Sequence, residues 1–328
     1  MDKVLRSAYA EHILEMIKLK RQLGYKFETG AYQLYKIDKF AYQTGEKGPG
    51  ITREFAVKWL NLFTNQKRTT IYSRAMVLIQ LACYISDLGI ETHIPRYPAP
   101  PRKDFTPFIF SQDEIQRLFK AADNLVYSRN GQNVNLFSIP LMLRFLYSTG
   151  IRKGEAMDLL EEDVNLKERT ILIRNSKNGG QRILPISETL ASECEKYLDY
   201  KSELPINIQT TKHFFVGTLG TKISRNNLEV YYKRCISKLK LQPEGLNGFP
   251  RLHDLRHTFA VSSLTKMANL NAKSYTSLPL LMTYLGHTSI TSTEKYLRLT
   301  SKIYPDIIRD SGHSYINIYP DIKTYETD

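Results

Sequence analysis

The chain has 328 residues, 42% of them hydrophobic and 24% charged, an ordinary globular make-up with room for two cores. Its formal net charge of +13 favours an extended anionic partner, nucleic acid ahead of an anionic membrane, because no basic amphipathic helix or lipidation signal is evident. Cys83, Cys194 and Cys235 are odd in number, far apart and form no CxxC pair, which argues against a disulfide framework or thiolate zinc site and for a reducing compartment.

The first stretch, MDKVLRSAYAEHILEM, lacks the apolar core of a secretion signal, and no run reaches membrane-spanning length, so the expected location is cytoplasmic with no membrane partner. Residues 1–100 read as helices. AYAEHILEMIKLKRQLG, ETGAYQLYKIDKFAYQTG, TREFAVKWLNLFTNQ and TTIYSRAMVLIQLACYISDLG space their apolar residues at three and four, with Gly near several ends. Trp59 falls in such a stripe and reads as core. KRTTIYSRAM, residues 67–76, opens the fourth helix with Lys67, Arg68, Thr69, Thr70 and Arg74. Of these, Lys67, Arg68, Thr70 and Arg74 are the expected DNA contacts, and the alternative is a solvated helix start.

RYPAPPRKDFTP, residues 96–107, holds four prolines and cannot continue a helix. The expected division is a helical domain over 1–100, a Pro-rich linker over 101–107 and a second domain over 108–328, with a polar, Tyr-rich tail from about 301. The first hundred residues carry 15 Lys/Arg against 9 Asp/Glu and the remainder 31 against 24, so both halves are basic.

The second half is mixed. SQDEIQRLFKAAD opens on a Ser cap and an acidic first turn, and IPLMLRFLYSTG is an apolar helix closed by Gly150. TILIRNSKNGGQRILPIS alternates as two short strands about a turn, a hairpin signature with Lys177 at its tip. Helical patterns then dominate from about Ser187 to Leu299. The fold class is mainly α with a small β-hairpin or sheet (α+β).

Within RLHDLRHTFA, residues 251–260, four basic side chains lie in an otherwise apolar run. His253, Arg256 and His257 share a helix face beside the stripe of Leu252, Leu255 and Phe259. Burying that charge is costly unless an anion meets it. The residues either point to water or bind phosphate, a guanidinium fork taking two oxygens and an imidazole a third. Arg152 in STGIRKGEAMDLL lies in a turn, with Glu155 three residues on to orient it; a solvated charge is the alternative. A hairpin-tip lysine such as Lys177 is either a solubility device or an ammonium delivered into a groove. In LGHTSITSTEKYLRLT, Gly286 and His287 end one helix, Ser and Thr residues cap the next, and Tyr296 lies inside it. A mid-helix tyrosine is usually core, and at its ordinary pKa of about 10 it is a weak nucleophile without assistance.

Taken in order, TGIRKGE, the hairpin lysine, HDLRHTFA and LGHTSITSTEKY resemble the tyrosine recombinase/integrase family of the Xer and phage-integrase type. The resemblance covers about 108–300 and extends loosely to a helical, SAM-like core-binding domain before it. It implies that Arg152 and Arg256 clamp the non-bridging oxygens of a scissile DNA phosphate with a hydrogen bond from His287. It further implies that Tyr296 attacks phosphorus to give a 3′-phosphotyrosyl link, that His253 accepts its proton, and that Lys177 protonates the departing 5′-hydroxyl. Glu155 supports the arginines, and His257 has a structural role. No metal and no other cofactor is implied. The implied partners are double-stranded DNA recombination sites and three further copies in a DNA-bound tetramer, with or without sister recombinases or accessory factors.

TKMANLNAKSYTSLPLLMTYLGH, between Arg256 and His287, is longer than expected in a chromosome-dimer resolvase. It looks more like integrases of transposons and other mobile elements, and no arm-binding domain is expected ahead of the core-binding one. Three alternatives stand beside this: an Xer-like resolution recombinase, a non-cutting DNA-binding accessory protein of the same fold, and a relaxing topoisomerase using the same tyrosine chemistry. A serine or cysteine hydrolase is remote, for want of GxSxG or a Cys/His pair.

Overall fold

In the N-terminal part four amphipathic helices form: α1 (Ala10–Gln22), α2 (Glu28–Thr44), α3 (Arg53–Asn61) and α4 (Arg68–Asp87). The computed structural model describes residues 4–62, 65–101, 106–125, 134–174, 180–204, 210–217, 220–241, 249–270 and 274–303. Thr52 caps α3, its hydroxyl accepting from the Phe55 amide at 3.1 Å. Ile13, Ile37, Phe55, Trp59, Leu78 and Ile85 bury one shared core, with Trp59 packed on Phe40. A feature the periodicity does not announce is the buried Asp38 of α2. It accepts from the Arg6 and Ser7 amides and, at 2.6 Å, from the Ser7 hydroxyl, tying the segment before α1 onto the bundle. Arg74 departs from expectation: it is buried on the inward side of α4, whereas Lys67 and Arg68 are exposed and Thr70 is half-buried. Leu78, Leu81 and Ile85 follow Arg74 on one face of α4 and pack the core, which carries the arginine inward with them.

Two compact units divide the chain, Met1–Asp104 and Phe105–Asp328. In the second, α5 (Gln112–Asp123) begins at Ser111 in a reciprocal cap: the Glu114 amide donates to the Ser111 hydroxyl and the Ser111 amide to the Glu114 carboxylate. Then follow α6 (Val134–Thr149), the short α7 (Lys153–Met157), strands β1 (Val164–Asn165), β2 (Thr170–Ile173) and β3 (Arg182–Pro185), and α8 (Glu188–Ser202). After these come α9 (Arg225–Lys238), α10 (Asp254–Asn269), α11 (Ser274–Leu285) and α12 (Thr291–Ile303).

The sheet is antiparallel in the order β1-β2-β3, with Ile171 opposite Leu184 and Ile173 opposite Arg182. Ile171, Ile173 and Leu184 face the main core with Ile115, Met142, Phe145, Phe214, Tyr232 and Leu255, while Ile183 faces outward. A second, smaller core joins α10, α11 and α12 through Val261, Leu264, Leu281, Leu285 and Tyr296. The chain is therefore mainly helical with one small sheet. The two-residue β1 is too short to leave a periodic trace. The hairpin tip with Lys177 lies outside the described residues, as does the segment after Ile303.

Gly150 ends α6 with φ +60°, and a Cβ there would lie 2.3 Å from the Phe259 ring of α10. That close approach brings the α6–α7 turn onto α10. Asp254, itself buried, accepts from the Arg251 amide at 2.7 Å and so ties the segment before α10 to its first turn. The Thr258 hydroxyl donates to the Asp254 carbonyl and accepts from the Phe110 amide, fixing the first turns of α10 against the segment entering α5.

Candidate active site

Four segments meet at one place: the α6–α7 turn with Arg152, the first turns of α10 with Arg256 and His257, the turn after α11 with His287, and α12 with Tyr296. Arg256 is buried. Its Nη1 donates to the Gly150 carbonyl at 2.7 Å, and its Nη2 donates to the Leu285 carbonyl at 2.8 Å and lies 3.0 Å from His287 Nε2. Among the described residues no carboxylate pairs with it. Burial, then the neighbouring Arg152, pushes its pKa down to about 10. A guanidinium held this way is a charge waiting for an anion.

Arg152 is half-buried at the start of α7. Its amide and its Nη1 both donate to Glu155, at 3.0 and 2.8 Å, and its Nη2 donates to the Gly286 carbonyl at 2.9 Å. Glu155 is buried and also receives Arg182 of β3 at 2.7 Å. Burial opposes its ionisation, but these two arginines together hold its carboxyl below the usual range. Glu155 thus orients Arg152, and Arg182, which the sequence does not single out, is its second partner.

The histidine protonation follows from the donors. Arginine has no acceptor, so His287 Nε2 accepts from Arg256, and the ring proton lies on Nδ1, which donates to the Thr293 hydroxyl at 2.8 Å. Burial, followed by Arg256 and Arg152, pushes His287 down to about 4, consistent with that neutral tautomer. In this state His287 orients Arg256 and has no free ring N–H to offer a phosphate. The fully buried Thr293 one turn before Tyr296 was not visible as a site residue.

Tyr296 is 1% exposed and contributes to the small core. Its hydroxyl is 3.0 Å from Nδ1 of His257. His253 is the residue before α10, exposed, and its ring meets the His257 ring edge-on with centroids 4.8 Å apart. The histidine within hydrogen-bond reach of the hydroxyl is therefore His257, one helical turn from His253. Both histidines share a face of α10, and the depth at which α12 docks selects the inner one. Burial raises the Tyr296 pKa, opposed by Arg256 and Arg152, while burial and the adjacent His253 push His257 down to about 2.

The structure thus brings Arg152, Glu155, Arg256, His257, His287 and Tyr296 together, with His253 at the rim. Lys177 lies outside the described residues. Lys67, Arg68, Thr70 and Arg74 belong to the other unit. Among the described residues no group of three or more His, Cys, Asp or Glu could hold a metal, and no helix is long and apolar enough to cross a membrane.

A buried tyrosine hydroxyl beside two anion-seeking arginines and a pair of neutral histidines, on a helical core edged by a small antiparallel sheet, defines a tyrosine recombinase, an enzyme that cleaves and rejoins DNA. The chain belongs to the phage integrase family, whose model matches residues 109–302. It is 25% identical over 304 residues to the tyrosine recombinase XerA of Pyrococcus horikoshii, a match spanning 92% of each chain. Its fold resembles that of the XerH site-specific recombinase bound to palindromic difH substrate in a post-cleavage complex. That likeness has TM-score 0.61 and 19% identity, and covers 92% of this chain and 84% of the other. It equally resembles the Tn1549 transposon integrase in complex with transposon right end DNA. Here the TM-score is 0.61 and the identity 16%, with 92% of this chain and all (100%) of the other covered. At these identities the solved structures speak for the fold.

Proposed function

We propose that this recombinase cuts and rejoins double-stranded DNA through a covalent link to Tyr296, in the service of a mobile element. The observation that carries the reading is the buried, carboxylate-free Arg256 beside Arg152, both within the shell of the Tyr296 hydroxyl. Arg152 and Arg256 keep N–H groups beyond those used in the resting contacts and aim them at the non-bridging oxygens of one phosphodiester. The Tyr296 oxygen forms the new bond to phosphorus as the bond to the 5′-oxygen breaks, giving a 3′-phosphotyrosine. Its proton passes to His257, with His253 behind as relay, and Lys177 supplies the proton that the 5′-oxygen takes up. The arginines act on the charge that accumulates in the transition state. An incoming phosphate raises the His287 pKa from its depressed value, so His287 takes up a proton and becomes a further donor.

The phosphodiester energy is retained in the tyrosyl link, so rejoining needs no nucleotide cofactor and no metal. The partners are recombination-site DNA and other copies of the chain, as a tetramer on two duplexes. The solved relatives on difH and transposon-end DNA support the DNA partner. Lys67, Arg68 and Thr70 contribute phosphate or groove contacts from the N-terminal domain (1–100), joined to the catalytic domain (108–328) by the linker over 101–107. Arg74 is retained as a support of that helix rather than a contact. The likeness to XerA favours a second reading, resolution of replicon dimers by the same chemistry.

A duplex selected by the protein from a random-sequence pool, nicked beside the cleaved phosphodiester to trap the intermediate, tests the chemistry. Wild-type protein is expected to form an adduct stable to denaturation, and Tyr296→Phe to bind the duplex without forming one. Tight binding by wild type with no adduct sinks the proposal in favour of a non-cutting binder. The sequence of the selected site, matched to element ends or to a replicon's own resolution locus, separates the two biological readings.

A further inference from the structure

The last carbonyls of a helix lack partners within it and carry the negative end of its dipole. At the C-terminus of α11, three successive carbonyls each receive a guanidinium, and each from a different segment. Arg182 Nε, from β3, donates to Tyr284 at 2.9 Å; Arg256 Nη2, from α10, donates to Leu285 at 2.8 Å; Arg152 Nη2, before α7, donates to Gly286 at 2.9 Å. The next residue is His287.

The three arginines differ in what they leave free. Arg152 binds Glu155 and Gly286 through its two terminal nitrogens and leaves its Nε hydrogen available among the contacts seen. Arg182 engages all three nitrogens: Nε on Tyr284, Nη1 on Glu155 Oε1 at 3.2 Å and Nη2 on Glu155 Oε2 at 2.7 Å. Its side chain is 11% exposed. Gly286 has φ +64° and packs on this guanidinium so closely that a Cβ there would lie 3.0 Å from Arg182 Nη1. Arg182 therefore directs all three of its nitrogens to a carbonyl and a carboxylate within the protein.

We propose that Arg182 is a positioning residue for strand transfer. Through the fork on Glu155 it fixes the guanidinium of Arg152, and through the Tyr284 carbonyl it fixes the turn that carries His287. The inference rests on the reading of Arg152, Arg256 and His287 as phosphate donors. A buried carboxylate with one arginine follows that arginine's motion; held from the other side in a bidentate fork, it becomes a fixed anchor. Arg182 also stands at the base of the strand returning from the hairpin that bears Lys177. One side chain thus joins the hairpin base, the Arg152 anchor and the His287 turn. A lysine has the charge but not the planar fork and cannot serve three partners in these directions.

The test uses the full chain and the nicked, selected duplex described above, with Arg182→Met and Arg182→Lys. Both variants are expected to bind the duplex with wild-type affinity and to form the adduct at saturating protein about 100-fold more slowly, because the donors are misplaced rather than removed. The His287 ring, followed by NMR in the free protein, is expected to titrate about one pH unit higher in both, as a loosened turn admits water. Adduct formation at the wild-type rate overturns the proposal, as does a loss confined to duplex affinity. Full rescue by Arg182→Lys overturns it too, since charge alone would then suffice. If Arg182→Met does not fold, Arg182→Lys carries the same measurements. If wild type forms no adduct, the reading of the site has failed, and the His287 titration then decides: an unchanged midpoint overturns the positioning role, and a raised one supports it.

Discussion

The Tyr296 hydroxyl and His257 Nδ1 are 3.0 Å apart inside the small core formed by α10, α11 and α12. Both groups are held neutral, the tyrosine raised by burial and the histidine pushed down to about 2. A hydrogen bond between a neutral hydroxyl and a neutral imidazole is the arrangement from which a proton moves as negative charge starts to form on oxygen. His257→Ala is therefore expected to slow single-turnover cleavage by about 100-fold or more, within the range of general-base removal. His253→Ala should have the smaller effect of the two. Equal or reversed effects would return the acceptor role to His253.

Among the described residues Thr293 is the partner of the His287 ring proton, at 2.8 Å, and so sets which nitrogen faces Arg256. Thr293→Val keeps the volume and removes that acceptor. The expected result is cleavage slowed by about tenfold or more with duplex affinity unchanged, as when an outer partner of a working histidine is lost. NMR of the ring should show the second tautomer appearing in this variant.

Arg256 connects Gly150, Leu285 and His287, so its replacement has a stability cost besides its chemical one. Arg256→Lys leaves at least one of these buried carbonyls unpaired, a loss of about 1–3 kcal/mol. Thermal unfolding should register this, and cleavage should fall by about 100- to 1,000-fold as a transition-state donor is lost. Wild-type cleavage by Arg256→Lys would mean that point charge suffices there.

Acid should destabilise the fold through its buried imidazoles. His257 takes up its proton near pH 2 when folded, against an ordinary 6.5. Below the ordinary value the unfolded chain binds a proton that the folded chain refuses. The stabilisation is thus full above that value and declines as pH falls, by about 1.4 kcal/mol per pH unit per histidine. His287 adds to the slope until about pH 4. The unfolding midpoint of wild type should fall between about pH 7.5 and pH 5, and fall less steeply in His257→Gln. Parallel curves for the two proteins would remove His257 as a cause.

The legible part of the site was the part carried by side-chain spacing. Arg152 with Glu155 three residues on, Arg256 in HDLRHTFA, and Gly286-His287 ahead of Tyr296 are local strings, and the fold brings them together. Helices with a clean apolar stripe and a cap, such as α5 behind Ser111, were equally readable. What stayed hidden depends on docking. His253 and His257 share a face, and only the seat of α12 decides between them. The carbonyls of Tyr284, Leu285 and Gly286 are the same backbone group in every sequence, so their arginine partners leave no local mark. Arg182 therefore carries no signal in the sequence, and Arg74, expected to contact DNA, is buried.

The most direct measurement is the chemistry of the covalent link itself. The adduct formed with the nicked, selected duplex is digested with trypsin, and the nucleotide-bearing peptide is sequenced by mass spectrometry while the released DNA end is tested for phosphorylation by a kinase. The account predicts one modified residue, Tyr296, joined to a 3′-phosphate, with a free 5′-hydroxyl on the released strand. A link to another residue, a 5′-attached protein, or broken DNA with no attached protein would contradict it.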